Sequence, residues 1–207
     1  MSVDMAMNGM LHRAVLRELD RVQGYVQAQN APVARKHYQF LSEQLHSHHE
    51  LEDEYLWPLV QQRTNDEREL STLAAMAGEH DQLQMALEAS DADFAGAGTL
   101  PADTLTHLAA LRLLVAAHFA HEEADAEALL EKYLTSEDLK AFHEASRQVP
   151  NAMLVFPWIA DGGSAQDQQV FSVLPRPVRL LVKPMMIRKY KAHFASAGSV
   201  SSCAGPR

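Results

Sequence analysis

Two segments of this chain set a histidine and a glutamate four residues apart on a helical face that also carries leucines. His48 and Glu52 form the first pair, within HSHHELEDEYL, and His118 and Glu122 the second, within HFAHEEADAEALL. On an α-helix, residues four apart lie one turn apart on one face. His48 aligns with Leu41, Leu45 and Leu56, and Glu52 with Leu56 and Leu59. His118 aligns with Leu111, Leu114 and Val115, and Glu122 with Leu129. A carboxylate turned into an apolar core is costly unless it is paired or bound to a cation. The chain must therefore fold so that these groups meet a partner.

Helical periodicity accounts for most of the first 134 residues. The expected helices are 5–27, 32–63, 66–94 and 101–133. Pro32 suits a first helical turn, and Pro58 should bend the end of the second helix. The first and third helices each add an inward histidine. His12 shares a face with Val15, Leu16 and Leu19, and His80 with Leu73, Ala77, Leu83 and Leu87. Short connections predict an all-α, up-down-up-down four-helix bundle over residues 1–134. Four imidazoles and two carboxylates facing one core suit two iron or manganese ions bridged by carboxylate.

A fifth short helix is expected over 136–149. Residues 135–207 are then that helix plus an irregular, Pro-rich, basic extension packed on the bundle, with one or two short helices near 178–183 and 185–194. Residues 1–150 carry 11 basic and 25 acidic side chains, a balance of -14, whereas 151–207 carry 7 and 2, a balance of +5. The acidic body argues against nucleic acid as a partner. The basic stretch is expected to dock on that body rather than on a membrane surface. The single Cys203 excludes an internal disulfide or a thiolate cluster. No secretory signal and no apolar run long enough to span a bilayer are visible, so a cytoplasmic protein is the expectation. Met5, Met7 and Met10 read as exposed or core-packing residues rather than metal ligands, and His37, His46, His107, His143 and His193 as surface.

The motifs LHRAVLREL around His12, HSHHELEDEYLWP, GEHDQL around His80 and HFAHEEADAEALL occur in an order and spacing that resembles the hemerythrin-like, HHE cation-binding domain proteins. That resemblance covers about residues 8–133. It implies a four-helix bundle around a non-haem di-iron centre, oxo- or hydroxo-bridged, with manganese as the alternative metal. Its ligands would be His12, His48, Glu52, His80, His118 and Glu122. The family handles dioxygen, peroxide, nitric oxide or iron, so the implied function is binding or turnover of such a species, including catalase-like peroxide consumption. The alternative is an iron- or oxygen-responsive sensor without turnover.

Two departures bear on the site. Oxygen-carrying hemerythrins have a second histidine one turn before the position of His80; here it is Met76, a poor ligand for hard iron. The carriers' last helix spaces His and Asp by five, and here His118 and Glu122 are four apart. One iron is thus left with an open position or with a further ligand, such as His49, Glu79, His121 or Tyr55. Otherwise His49, Asp53, Glu54, His121 and Glu123 are expected to support the ligands or face solvent.

Overall fold

A computed structural model describes residues 3–195, with side chains from Ala6 onward. Cys203 and the side chain of Met5 lie outside this range. All regular structure among the described residues is helical. The long helices are α1 (Val3–Gln27), α2 (Ala31–Tyr55), α4 (Glu67–Phe94) and α5 (Thr104–His121), and α3 (Trp57–Arg63) follows α2. A π-helical turn (Glu122–Ala126) joins α5 to α6 (Glu127–Tyr133). Then come α7 (Ser136–Ser146), α8 (Ala152–Ala160), a 3-10 turn (Asp167–Val173) and α9 (Arg176–Ala195).

Local chemistry explains where these helices begin. The Asn30 side chain accepts from Val33 N–H at the start of α2, and Asp66 accepts from Arg68 and Glu69 N–H at the start of α4. Thr135 and Asp138 form a reciprocal capping box on α7. The helix expected over 32–63 is interrupted at Leu56, and Pro58 sits in the first turn of α3, where its missing N–H costs least. The helix expected from residue 101 begins at Thr104, and it is not uniformly α-helical: the π-turn begins at Glu122 itself.

Each of α1, α2, α4 and α5 contacts two others in a closed ring, α1 to α2 to α4 to α5 and back to α1. Inward residues of these helices and of the elements packed on them form two apolar clusters. The larger includes Val15, Leu19, Leu45, Leu83, Val115 and Phe119; the smaller includes Leu56, Val60, Met76, Ala126 and Leu129. Along α2, α4 and α5, the histidine and glutamate positions fall between the two clusters, as a polar layer in an apolar stack.

Residues 152–195 are more regular than expected. AMLVFPWIA forms α8, and α9 runs unbroken through Pro184 as one 20-residue helix, longer than the short helices expected there. Pro184 is exposed, and so is Leu180, whose carbonyl it leaves unbonded, so water can satisfy that oxygen. This region packs on α1 and α2. Trp158 is fully buried against Phe40, with ring centroids 5.2 Å apart, and its indole donates to Glu18 Oε2 at 3.0 Å. Charge pairing here runs opposite to that expected from the balance. Arg13 of α1 binds Asp167, and Arg21 binds Asp161, while Arg176, Arg188, Lys189 and Lys191 of α9 are exposed. Gly162 makes the approach possible. Its φ is +70°, and a Cβ there would lie 2.7 Å from the Arg21 guanidinium.

His37 is buried, contrary to the surface position expected of it, because α1 places Glu18 opposite it; His37 Nδ1 lies 2.5 Å from Glu18 Oε1. Glu18 is fully buried and also accepts from Arg21 at 3.1 Å. Three donors therefore depend on one carboxylate. Glu18→Ala should destabilise the protein by about 3–5 kcal/mol, because it strands buried polar partners. Urea denaturation checks this, and a loss under about 1 kcal/mol would show that water replaces the carboxylate.

Candidate metal centre

The polar layer brings together all six sequence-derived residues. His12, His48, Glu52, His80, His118 and Glu122 are all at most 7% exposed. His49 joins them, also 7% exposed. The donor atoms fall into overlapping groups: His12, His48 and Glu122; His49, His80 and His118; and Glu52, His118 and Glu122. The carboxylates lie between the histidine groups. Glu52 Oε1 is 3.4 Å from His48 Nε2, and its Oε2 is 3.7 Å from His80 Nε2. Glu122 Oε2 is 3.4 Å from His12 Nε2 and 3.8 Å from His118 Nε2.

Outer carboxylates orient three of the imidazoles. Glu123 lies 2.8 Å from His12 Nδ1, Asp53 2.9 Å from His80 Nδ1, and Glu79 2.9 Å from His118 Nδ1. Each accepts a hydrogen bond from Nδ1–H and so leaves the Nε2 lone pair facing inward, as a metal-binding imidazole requires. The hydrogen bond from His12 holds the Glu123 carboxyl below its usual range. Burial pushes Glu79 up, but hydrogen bonds from His118 and His121 outweigh it and leave the carboxyl low.

Inside the layer the electrostatics run the other way. Burial drives the Glu52 carboxyl well above its usual range, and the nearby Glu122 adds to it. Burial and the neighbouring imidazoles hold His48 and His49 well below the usual histidine range, and burial also lowers His118. Without a cation Glu52, His48, His49 and His118 are therefore pushed towards their neutral forms.

Hydrogen bonding does not satisfy it. Among the described residues, His49 Nε2, Glu52 Oε2, His80 Nε2, His118 Nε2 and Glu122 Oε2 are buried without a partner. His12 Nε2 and His48 Nε2 face each other at 3.2 Å. With the His12 proton on Nδ1, its Nε2 can only accept. Each orphaned group costs ~1–3 kcal/mol, so five approach the whole stability of an ordinary domain. Divalent or trivalent metal ions fit this donor set of five imidazole nitrogens and two carboxylates, with no thiolate.

The other residues raised from sequence divide clearly. Asp53 and Glu123 accept from His80 and His12 at the edge of the layer. Glu79 stands behind His118 rather than in the donor layer, and its second oxygen lies 2.7 Å from the half-buried His121 Nδ1. Glu54 is exposed, and Tyr55 packs against the smaller apolar cluster. Met76 is fully buried in that cluster. His46 pairs with Asp91 and His107 with Asp93, away from the layer. Met10 is buried in the larger cluster, with Met7 packed against it.

A family model, the hemerythrin HHE cation-binding domain, matches residues 10–149, well over half of the chain. No curated protein and no solved structure matches it significantly.

Because the orphaned groups sit between two complete apolar clusters, removing metal should leave the helices in place but loosen the layer. Chelation should lower the melting temperature with little loss of helical circular dichroism, and adding ferrous iron back should restore it. Identical melting curves with and without iron would rule out metal binding by this layer.

Proposed function

The chain belongs to the hemerythrin HHE cation-binding family, and from that membership and the seven converging donors we propose a non-haem di-iron protein that binds or turns over a small oxygen or nitrogen species. The observation that carries this reading is the set of five buried, partnerless donor atoms aimed into one layer. His12 and His48 would hold one iron, and His49, His80 and His118 the other, with Glu52 and Glu122 between them. Manganese suits the same donors less specifically. The proposed scaffold is an up-down-up-down bundle. In support, α2 and α5 pass from the larger cluster through the layer to the smaller one, whereas α4 passes the opposite way.

When bound, the irons would supply the electron-transfer chemistry that no side chain here can provide. The chain's own contribution is positional. Asp53, Glu79 and Glu123 keep imidazole lone pairs inward. The apolar clusters exclude bulk water, and the unequal split of histidines, two against three, leaves the His12 and His48 half with fewer protein donors. An outside ligand of a few atoms would bind there: dioxygen, peroxide or nitric oxide. Peroxide disproportionation and nitric oxide scavenging are the first activities to assay.

A sensor without turnover has one observation in its favour. The outer face of α9 carries Leu180 and Leu181, 76% and 79% exposed, beside the exposed Arg176, Arg188, Lys189 and Lys191, which suits a partner surface.

Purified protein should hold two irons per chain, and Glu52→Ala or Glu122→Ala should each reduce this to about one or none. Metal analysis with an optical spectrum decides it. Two irons retained in both variants would sink the assignment. Peroxide consumption by the iron-loaded protein then separates turnover from sensing.

A further inference from the structure

The two carboxylates of the layer are not equivalent. Glu52 directs one oxygen towards His48 and the other towards His80. Glu122 faces both histidine groups with Oε2 alone. Its Oε1 is engaged elsewhere: the half-buried Asn8 of α1 donates its amide N–H to Glu122 Oε1 at 2.9 Å and to Glu127 Oε1 at 3.1 Å. Both partners are carboxylate oxygens, so the amide presents its nitrogen, which has two hydrogens to give.

The π-turn makes this contact available. In a regular α-helix, residues five apart point about 140° away from each other. Here Glu127 N–H bonds the Glu122 carbonyl, and the wider turn brings residues 122 and 127 towards one side. One amide on α1 can then bridge both side chains.

We infer that Asn8 is a positioning residue that restricts Glu122 to contact through a single oxygen, and so keeps one coordination position free for an outside ligand. This rests on the di-iron reading above. An asparagine suits the task because it donates without carrying charge. An aspartate there would repel both glutamates, and a lysine would pair with Glu122 and compete with metal for it.

Asn8→Leu and Asn8→Ala both remove the donor but differ in bulk, so an effect common to both reports the lost hydrogen bond. Azide is the probe, titrated into iron-loaded protein, with Mössbauer spectra of the azide-free samples alongside. Freed of Asn8, Glu122 Oε1 can turn inward and take the open position. Azide affinity should then fall at least about tenfold in both variants. The quadrupole splitting of one iron should change while the other stays as in the wild type. Equal azide affinity and superimposable Mössbauer spectra in wild type and variants would overturn the role of Asn8 and leave the di-iron reading standing. Wild-type protein that loads fewer than two irons would overturn both.

Discussion

Dehydration of Glu52 and Glu122 is the constraint around which this molecule is arranged. Neither carboxylate reaches water, and among the described residues neither pairs with an arginine or lysine. Helix propensity and leucine packing would build a stable bundle without them, so their presence makes the bundle dependent on what fills its middle. The surrounding features follow from that dependence. Imidazoles supply lone pairs, three outer carboxylates fix the tautomers of His12, His80 and His118, and apolar clusters on both sides keep the layer dry.

Much of this was legible in the sequence, because a histidine or glutamate in a row of leucines violates the pattern in which it sits. His12, His48, Glu52, His80, His118 and Glu122 stand out in that way as candidate donors. His49 does not, although Leu45, His48, His49, Glu52 and Leu56 together make an ordinary inward stripe. Its adjacency to His48 suggested a neighbour facing solvent, whereas a core stripe is wide enough for both. Asn8 gave no signal at all, since an asparagine near the start of a helix is unremarkable without knowing what lies across from it. The π-turn was equally silent: periodicity arithmetic assumes 3.6 residues per turn and cannot announce where that assumption stops holding.

The C-terminal region shows the same limit in a different form. Charge balance pointed to a basic segment drawn onto an acidic body. The actual attachment depends on Trp158 and Phe40, on Arg13 and Arg21 of α1, and on the buried Glu18 shared by three donors. Net charge describes long-range attraction, but a packed contact is decided by which side chains can be desolvated together. The burial of His37 escapes sequence patterning for the same reason. Its partner lies on another helix, 19 positions earlier in the chain.

The π-turn also makes the last bundle helix unequal in its tolerance of length changes. A point substitution between Glu123 and Asp125 leaves the backbone phase intact. Loss of a single residue there would let the segment relax into a regular α-helix, the cheaper conformation, with Glu127 then one ordinary turn from Glu122 and still on the same side. Leu129 and Leu130 would keep their cluster, whereas the same loss earlier in α5 would rotate everything after it by about 100°. Within this stretch Glu123 is tied to His12, but the count of residues is not fixed. Related chains should therefore gain or lose one residue here more readily than anywhere else along the helix.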